Sequence, residues 1–254
     1  MQRLGIISDI HGNVHALTAV LKRLADEGVS EICCLGDVVG YGPDPVACLD
    51  LVLQYCDTCV RGNHDSAAFD PDHAPRFNPT AMRALQWTQE QLQPHHLNAL
   101  IHMPVTNKPH PEVICVHDTP LLGLSTYIYD QFDAACAFPA VEVPICLVGH
   151  THVPVVFSTP NVPDGDPSEP SSVTMTRLED GVPVDLPVNM RFICNPGSVG
   201  QPRDADPRAS FAVLDMDLRT FTMHREPYDI DAVHASTKAA GLPAVLAERL
   251  YQGA

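Results

Sequence analysis

Short apolar runs punctuate the first 150 residues, each bounded by turn-forming or polar positions. Leu4–Ser8, Glu31–Leu35, Thr58–Arg61, Val113–His117 and Pro144–Val148 have the length and continuous apolarity of strands buried on both faces. Between the first two, Val14, Leu17, Val20, Leu21 and Leu24 recur at helical spacing, with Asn13 placed to cap the helix and Gly28 to end it. Asp44–Tyr55, Asn78–Leu92, Pro94–Ile101 and Asp130–Ala137 read as further helices. Strands alternating with helices predict right-handed crossovers and a mainly parallel sheet with helices on both faces.

Past residue 150 the pattern changes. Val153–Ser158, Ser172–Leu178, Arg191–Cys194, Ser210–Asp215 and Thr220–Glu226 read as strands with few helices between them, predicting a second, mostly antiparallel sheet packed on the first. Residues 158–172 are rich in Pro, Ser, Asp and Gly and are expected to form a mobile loop. Residues 230–254 form a C-terminal helical segment, broken at Gly241-Leu242-Pro243. With no repeats and no linker, residues 1–254 are expected to fold as one domain.

Composition narrows the function classes. A formal charge of −16 argues against binding duplex nucleic acid or an anionic membrane, since both need basic surface. It does not exclude an anionic substrate, because bound cations can dominate a local field. No run approaches the roughly 20 apolar residues of a membrane span. The apolar stretch after Met1-Gln2-Arg3 is too short for a secretory leader. Most of the nine cysteines sit inside apolar runs, as buried free thiols do, and a cytoplasmic location is expected. Cys56-Asp57-Thr58-Cys59 has redox-motif spacing but lies where a helix hands over to a strand, so a structural role is expected.

The chemistry gathers at strand ends. Asp9 and His11 follow the first strand, Asp37 the second and Asn63 and His64 the third; His117 ends the fourth, and His150 and His152 follow the fifth. Ligands of an open parallel sheet bind beyond the carboxyl ends of its strands. Taken singly, each block is also an ordinary turn or cap: Gly-Asn-His-Asp makes a good Asx-turn, and Gly-Asp-x-x-Gly a plain turn. Together, in order and always after an apolar run, they predict a metal site. Carboxylate, imidazole and amide ligands without thiolates suit divalent Mn, Fe, Zn, Co or Ni.

Asp9-Ile10-His11-Gly12-Asn13, Gly36-Asp37-Val38-Val39-Gly40, Gly62-Asn63-His64-Asp65 and Gly149-His150-Thr151-His152, with His117, resemble the five-block signature of the calcineurin-like metallophosphoesterases. The resemblance covers about residues 3–227. Asn195-Pro196-Gly197-Ser198-Val199-Gly200-Gln201-Pro202-Arg203 resembles a block of the small bacterial phosphodiesterase branch, related to diadenosine tetraphosphatases. The resemblance implies an α/β fold of two stacked sheets flanked by helices, a four-layer α-β-β-α architecture. It also implies two divalent ions, one on Asp9, His11 and His152 and the other on Asn63, His117 and His150, bridged by Asp37. Catalysis would use a metal-bridging hydroxide, with His64 protonating the leaving group and Asp65 holding the His64 ring.

The protein Ser/Thr phosphatase branch has an arginine in its Gly-Asp block, whereas Tyr41 and Gly42 follow Gly40 here. That difference favours a small phosphodiester or nucleotide over a phosphoprotein. Tyr41, Asn195, Ser198 and Arg203 are the weaker candidates for substrate contact, with Arg208 as another possible cation. Asp118, following His117, is expected to bond its own loop. The loops 69–77, 119–130 and 158–172 are expected to set specificity. A phosphomonoesterase or protein phosphatase, and a catalytically silent metal-binding scaffold, are the competing readings. Oligomeric state is not readable from the sequence.

Overall fold

The computed structural model describes residues 2–70, 72, 77–121, 126–161 and 169–254. The central parts of segments 69–77, 119–130 and 158–172, to which the sequence assigns specificity, lie outside the described residues. Two six-stranded mixed sheets form its centre. The first has the order β3 (Thr58–Cys59), β2 (Glu31–Cys34), β1 (Arg3–Ile7), β11 (Ala209–Asp215), β12 (Thr220–Glu226) and β9 (Pro183–Asp185). The second runs β4 (Thr106–His110), β5 (Val113–Val116), β6 (Ile145–Leu147), β10 (Met190–Asn195), β7 (Val155–Pro160) and β8 (Thr174–Arg177).

The strands expected to form one parallel sheet are therefore divided: β1–β3 lie parallel in one sheet, β5 and β6 in the other. The later strands do not make a sheet of their own. β11 pairs antiparallel with β1, and β10 sits between β6 (parallel) and β7 (antiparallel). The physical reason is that every one of these strands is apolar on both faces, so periodicity reports burial without reporting partners. β4 and β9, two further strands, escape the sequence reading; each contains a proline and sits at or near a sheet edge.

Alternation along each strand assigns the layers. Leu4, Ile6, Cys33 and Leu35 point between the sheets and meet Cys115, Ile145, Leu147, Phe192 and Cys194. Ile7 and Cys34, one residue out of phase, pack instead on α1 (Val14–Asp26) and α2 (Pro45–Tyr55) through Leu17, Val20, Leu49 and Val52. On the far side Cys146, Ile193 and Phe157 pack on Ala134, Ala135 and Phe138 of α6 (Gln131–Ala137) and the turn after it. This is the four-layer α-β-β-α arrangement. The cysteines act as small core side chains, and all nine are free, Cys56 and Cys59 included.

The remaining helices are α3 (Asn63–Phe69), α4 (Pro79–Gln91), α5 (Pro94–His102), α7 (Ile230–Ala239) and α8 (Val245–Glu248). Asn13 caps α1 as its sequence suggests, its Oδ1 accepting from Ala16 N at 3.1 Å, an interaction worth about 1 kcal/mol. No described helix is long and apolar enough to cross a membrane.

Candidate active site

Each candidate side chain stands on the segment immediately after a strand, and the two sheets present these segments at the same end of the sandwich. The segments are hydrogen-bonded to one another. Asp9 N donates to Gly36 O at 3.0 Å, His11 N to Asp37 O at 2.9 Å, and Gly149 N to His117 O at 2.7 Å. Between the sheets, His150 N donates to Asp9 Oδ2 at 3.0 Å. Asp9, His11, Asp37, Tyr41, His150 and His152 account for six of the eight described non-glycine residues with positive φ. Left-handed backbone is unfavourable for such residues and persists only where surrounding contacts enforce it, so this clustering marks the loops as built for side-chain placement.

Three groups of ligand atoms result. Asp9, His11 and His152 converge, as do Asp37, His117 and His150; a third group joins His11, Asp37 and His64. Asp37 lies between the outer groups: its Oδ2 is 3.2 Å from His117 Nε2 and 3.7 Å from His11 Nε2. Asn63, at the start of α3, lines the same cavity.

The histidines are oriented from behind. His11 Nδ1 lies 3.3 Å from Val39 O, His117 Nδ1 2.7 Å from Leu35 O, and His152 Nδ1 2.5 Å from Gln201 O. A proton on each Nδ1 satisfies those carbonyls and leaves each Nε2 lone pair facing the cluster, the tautomer a metal ligand needs. The acceptors fit the same purpose. Asn63 Oδ1 is buried and accepts no hydrogen bond, and Asp9 Oδ1 has only the His152 and His11 Nε2 atoms near it, at 3.3 and 3.8 Å. Buried oxygens are rarely left unpaired unless something else coordinates them. The donor set therefore fits divalent cations.

The charges agree. Burial pushes the Asp37 carboxyl up, but the neighbouring His117, His64 and His11 outweigh it and hold it well below the usual range. For Asp9, burial is likewise overcome by His152 and His117. Burial opposes a charge on His117, yet Asp37, then Asp9 and Asp118, push it up to about 10. A divalent ion must displace that proton. Metal uptake by metal-free protein is therefore expected to release a proton and to strengthen with rising pH up to about 10, as calorimetry in buffers of different ionisation enthalpy would show. Affinity independent of pH would contradict this.

His64 is 5% exposed and its Nδ1 has no hydrogen-bond partner. The ring packs against Gly40, where a Cβ would come within 2.5 Å of Nδ1, and against Phe77 at 4.3 Å between centroids. Asp65 does not hold this ring, contrary to the expectation. Its Oδ1 accepts from Val38 N and Val39 N at 2.9 and 3.1 Å, and its Oδ2 from Gly62 N at 3.0 Å. The residue instead closes the α3 cap and ties it to the Asp37 loop, a job for which a short carboxylate three residues into a helix is suited. Gly62 is the close-approach point of that loop. A Cβ there would lie 2.0 Å from Asp37 Oδ1, so Gly62→Ala is expected to destabilise the metal-free protein by about 1–3 kcal/mol in thermal unfolding and to weaken metal binding. Wild-type stability and metal affinity in that variant would contradict the packing.

Of the weaker candidates, Tyr41 and Arg203 line the cavity, and Asn195 and Ser198 do not. Asn195 is 1% exposed, with its Nδ2 donating to Gly149 O and Thr151 Oγ1 and its Oδ1 accepting from Gly197 N. Ser198 Oγ donates to Asp9 O at 2.8 Å. Both brace ligand loops from below and have no reach to a substrate. Arg208 is bound to Asp206 and Asp180. Asp118 Oδ1 accepts from Thr119 N at 2.7 Å, within its own loop. Phe77 and Tyr127 line the cavity from segments 69–77 and 119–130, to which the sequence assigns specificity, and Arg249 lines it without having been singled out, since no motif surrounds it. Another grouping, Asp50, His95 and His96, lies elsewhere; His96 Nδ1 accepts from Gln93 N at 3.1 Å, so Nε2 carries the proton and simply faces Asp50 Oδ1.

Comparison with known proteins follows the same direction. The model of the calcineurin-like phosphoesterase superfamily domain matches residues 2–219. An uncharacterised protein of Methanocaldococcus jannaschii is 31% identical over 259 residues, covering 98% of each chain. The crystal structure of a metallophosphoesterase from Sphaerobacter thermophilus superposes with a TM-score of 0.85 at 41% identity, covering 100% of this chain and 99% of that one. A hypothetical protein from Pyrococcus horikoshii shares the fold, with a TM-score of 0.77 at 20% identity and coverage of 100% and 99%.

Proposed function

This chain belongs to the calcineurin-like phosphoesterase superfamily, and we propose that it is a two-metal hydrolase of a small phosphodiester or nucleotide. The observation that carries the reading is Asp37, a buried carboxylate whose Oδ2 lies 3.2 Å from His117 Nε2 of one group of ligand atoms and 3.7 Å from His11 Nε2 of the other. Asp9, His11 and His152 would hold one divalent ion and Asn63, His117 and His150 the other, with Asp37 common to both. When bound, the pair supplies Lewis-acid activation of water and neutralises charge on the phosphoryl group.

The remaining work falls to the protein. His64 lines the cavity beside Asp37, whose Oδ1 accepts from His64 N at 2.8 Å. Burial pushes the His64 imidazole down to about 4, with Asp37 pulling the other way, so the ring is neutral at pH 7. A proton on Nδ1 would have no acceptor. The proton therefore sits on Nε2, and the neutral ring donates a hydrogen bond from it to the leaving-group oxygen as charge develops there, the oxygen taking its proton from solvent. Tyr41, Phe77 and Tyr127 form an apolar wall of a cavity of about 490 Å³, the size range of a nucleotide-like ligand. The free cysteines fit a reducing, cytoplasmic setting.

One observation favours a second reading: Arg203 lines the cavity and offers a cation to a terminal phosphate dianion, as a phosphomonoesterase requires. An assay of Mn-loaded protein on bis(p-nitrophenyl) phosphate, p-nitrophenyl phosphate and a dinucleoside polyphosphate decides between them. Faster turnover of the diester or the polyphosphate is expected. Turnover of the monoester alone would establish the second reading, and two bound ions with no turnover would make the chain a scaffold.

A further inference from the structure

Five arginines elsewhere in the molecule find acids. Arg3, Arg23, Arg208, Arg219 and Arg225 are each ion-paired with an aspartate or a glutamate. In a chain of net charge −16 such partners are plentiful. Arg203 and Arg249 are different. Both line the candidate active-site cavity, and among the described residues neither is paired with an aspartate or a glutamate, a lack they share with Arg61, Arg83, Arg177 and Arg191, none of which lines that cavity. Among the described residues, the carboxylates lining that cavity are Asp37, which belongs to the ligand cluster, and Asp72, which pairs with neither arginine.

Their placement is defined from two directions. Arg203 follows the loop that orients His152: its N donates to His152 O at 3.3 Å and its Nη2 to Gln201 Oε1 at 3.0 Å. Its Nε is buried without a hydrogen-bond partner. Arg249 comes from the helical turn at residues 249–252, held by its Nε donating to Ala254 O. Tyr41 stands within reach of both. Burial pushes its phenol up, and the charges of Arg203 and Arg249 pull against that. The two guanidiniums also feel each other, since burial lowers Arg249 and the Arg203 charge lowers it further. Two like charges, half-buried on one wall with no aspartate or glutamate of the described residues paired to either, are unfavourable in the free protein and become favourable on receiving an anion.

The scissile phosphoryl group, on the reading proposed above, lies over Asp37. Arg203 and Arg249 sit beside it, on the His152 and Tyr41 side of the cavity. We propose that Arg203 and Arg249 form a subsite for a second phosphoryl group, so that the preferred substrate is a phosphoester bearing a further phosphate, as in a nucleoside polyphosphate, and not a singly charged diester. This substrate assignment rests on the phosphoesterase reading; the anion subsite itself does not. Arginine suits the task because its planar fork meets phosphate oxygens in pairs. Arg249 in particular belongs to no motif of the ligand blocks, which makes it a specificity determinant of this chain.

Two measurements separate the subsite from the catalytic reading. In the first, inorganic pyrophosphate and inorganic phosphate are titrated into metal-free wild type, Arg249→Gln and Arg249→Lys in the presence of EDTA. Wild type is expected to hold pyrophosphate at least tenfold more tightly than phosphate, Arg249→Gln to lose that preference, and Arg249→Lys to recover part of it. Equal affinities in wild type and Arg249→Gln, or no pyrophosphate binding by correctly folded wild type, would overturn the subsite whatever the enzyme hydrolyses. In the second, the ratio of kcat/KM for a dinucleoside polyphosphate over bis(p-nitrophenyl) phosphate is compared in Mn-loaded wild type and Arg249→Gln. The ratio is expected to fall at least tenfold, mainly through KM. A variant that slows both substrates equally would show a structural role and overturn the assignment. If wild type hydrolyses neither, the phosphoesterase reading fails while the pyrophosphate titration still judges the subsite.

Discussion

Asp37→Asn is expected to reduce the divalent ions bound per chain from two to one or none and to cut hydrolysis by more than about 100-fold, beyond what disturbing a residue behind the ligands usually costs. The substitution keeps size and shape, so the loss isolates charge. In the wild type, Oδ1 accepts from His64 N while Oδ2 faces His117 Nε2 and His11 Nε2. An amide placed there turns either an acceptor or the shared anion into a donor aimed at two imidazoles. Elemental analysis of the purified variant alongside kcat/KM checks the outcome. Two tightly bound ions in Asp37→Asn would remove the basis for a shared carboxylate.

His64→Ala is expected to separate what Asp37→Asn joins. Metal content should stay at the wild-type level, because the ring lies beside the two proposed ligand sets without belonging to either. Turnover of an ester with a poor leaving group should fall by about 10²–10³-fold, the usual loss on removing one hydrogen-bond donor to developing charge. An ester with a good leaving group, such as p-nitrophenolate, should lose much less, since little charge on the oxygen needs stabilising there. A uniform loss on both esters accompanied by a fall in metal content would give His64 a ligand role instead.

The ligand blocks were legible because their information is local. Each combines a chemically distinctive residue with a strand end, and the strands at Leu4, Glu31, Val113 and Ile145 are readable from apolarity alone. What escaped is the information that only tertiary pairing supplies. Ile6 and Cys115 face each other across the sandwich although each belongs to an equally apolar run, so nothing in either run says that their strands lie in different sheets. The helix beginning at Asn63 was hidden because Gly-Asn-His-Asp reads as readily as a turn, and its Asp65 anchors Val38 and Val39 from 27 and 26 residues away. Asn195 and Ser198 were recognised as a motif, but a motif residue that braces Gly149 or Asp9 cannot be told by sequence from one that touches substrate. Arg249 illustrates the converse: it reaches the cavity through a chain path that carries no signature.

The central claim is that two divalent ions share Asp37. Diffraction from Mn-soaked crystals at the manganese absorption edge tests it most directly. Two anomalous peaks are expected, one against Asp9, His11 and His152 and one against Asn63, His117 and His150, with Asp37 touching both. A single peak in the cavity, or manganese only at Asp50, His95 and His96, would contradict it.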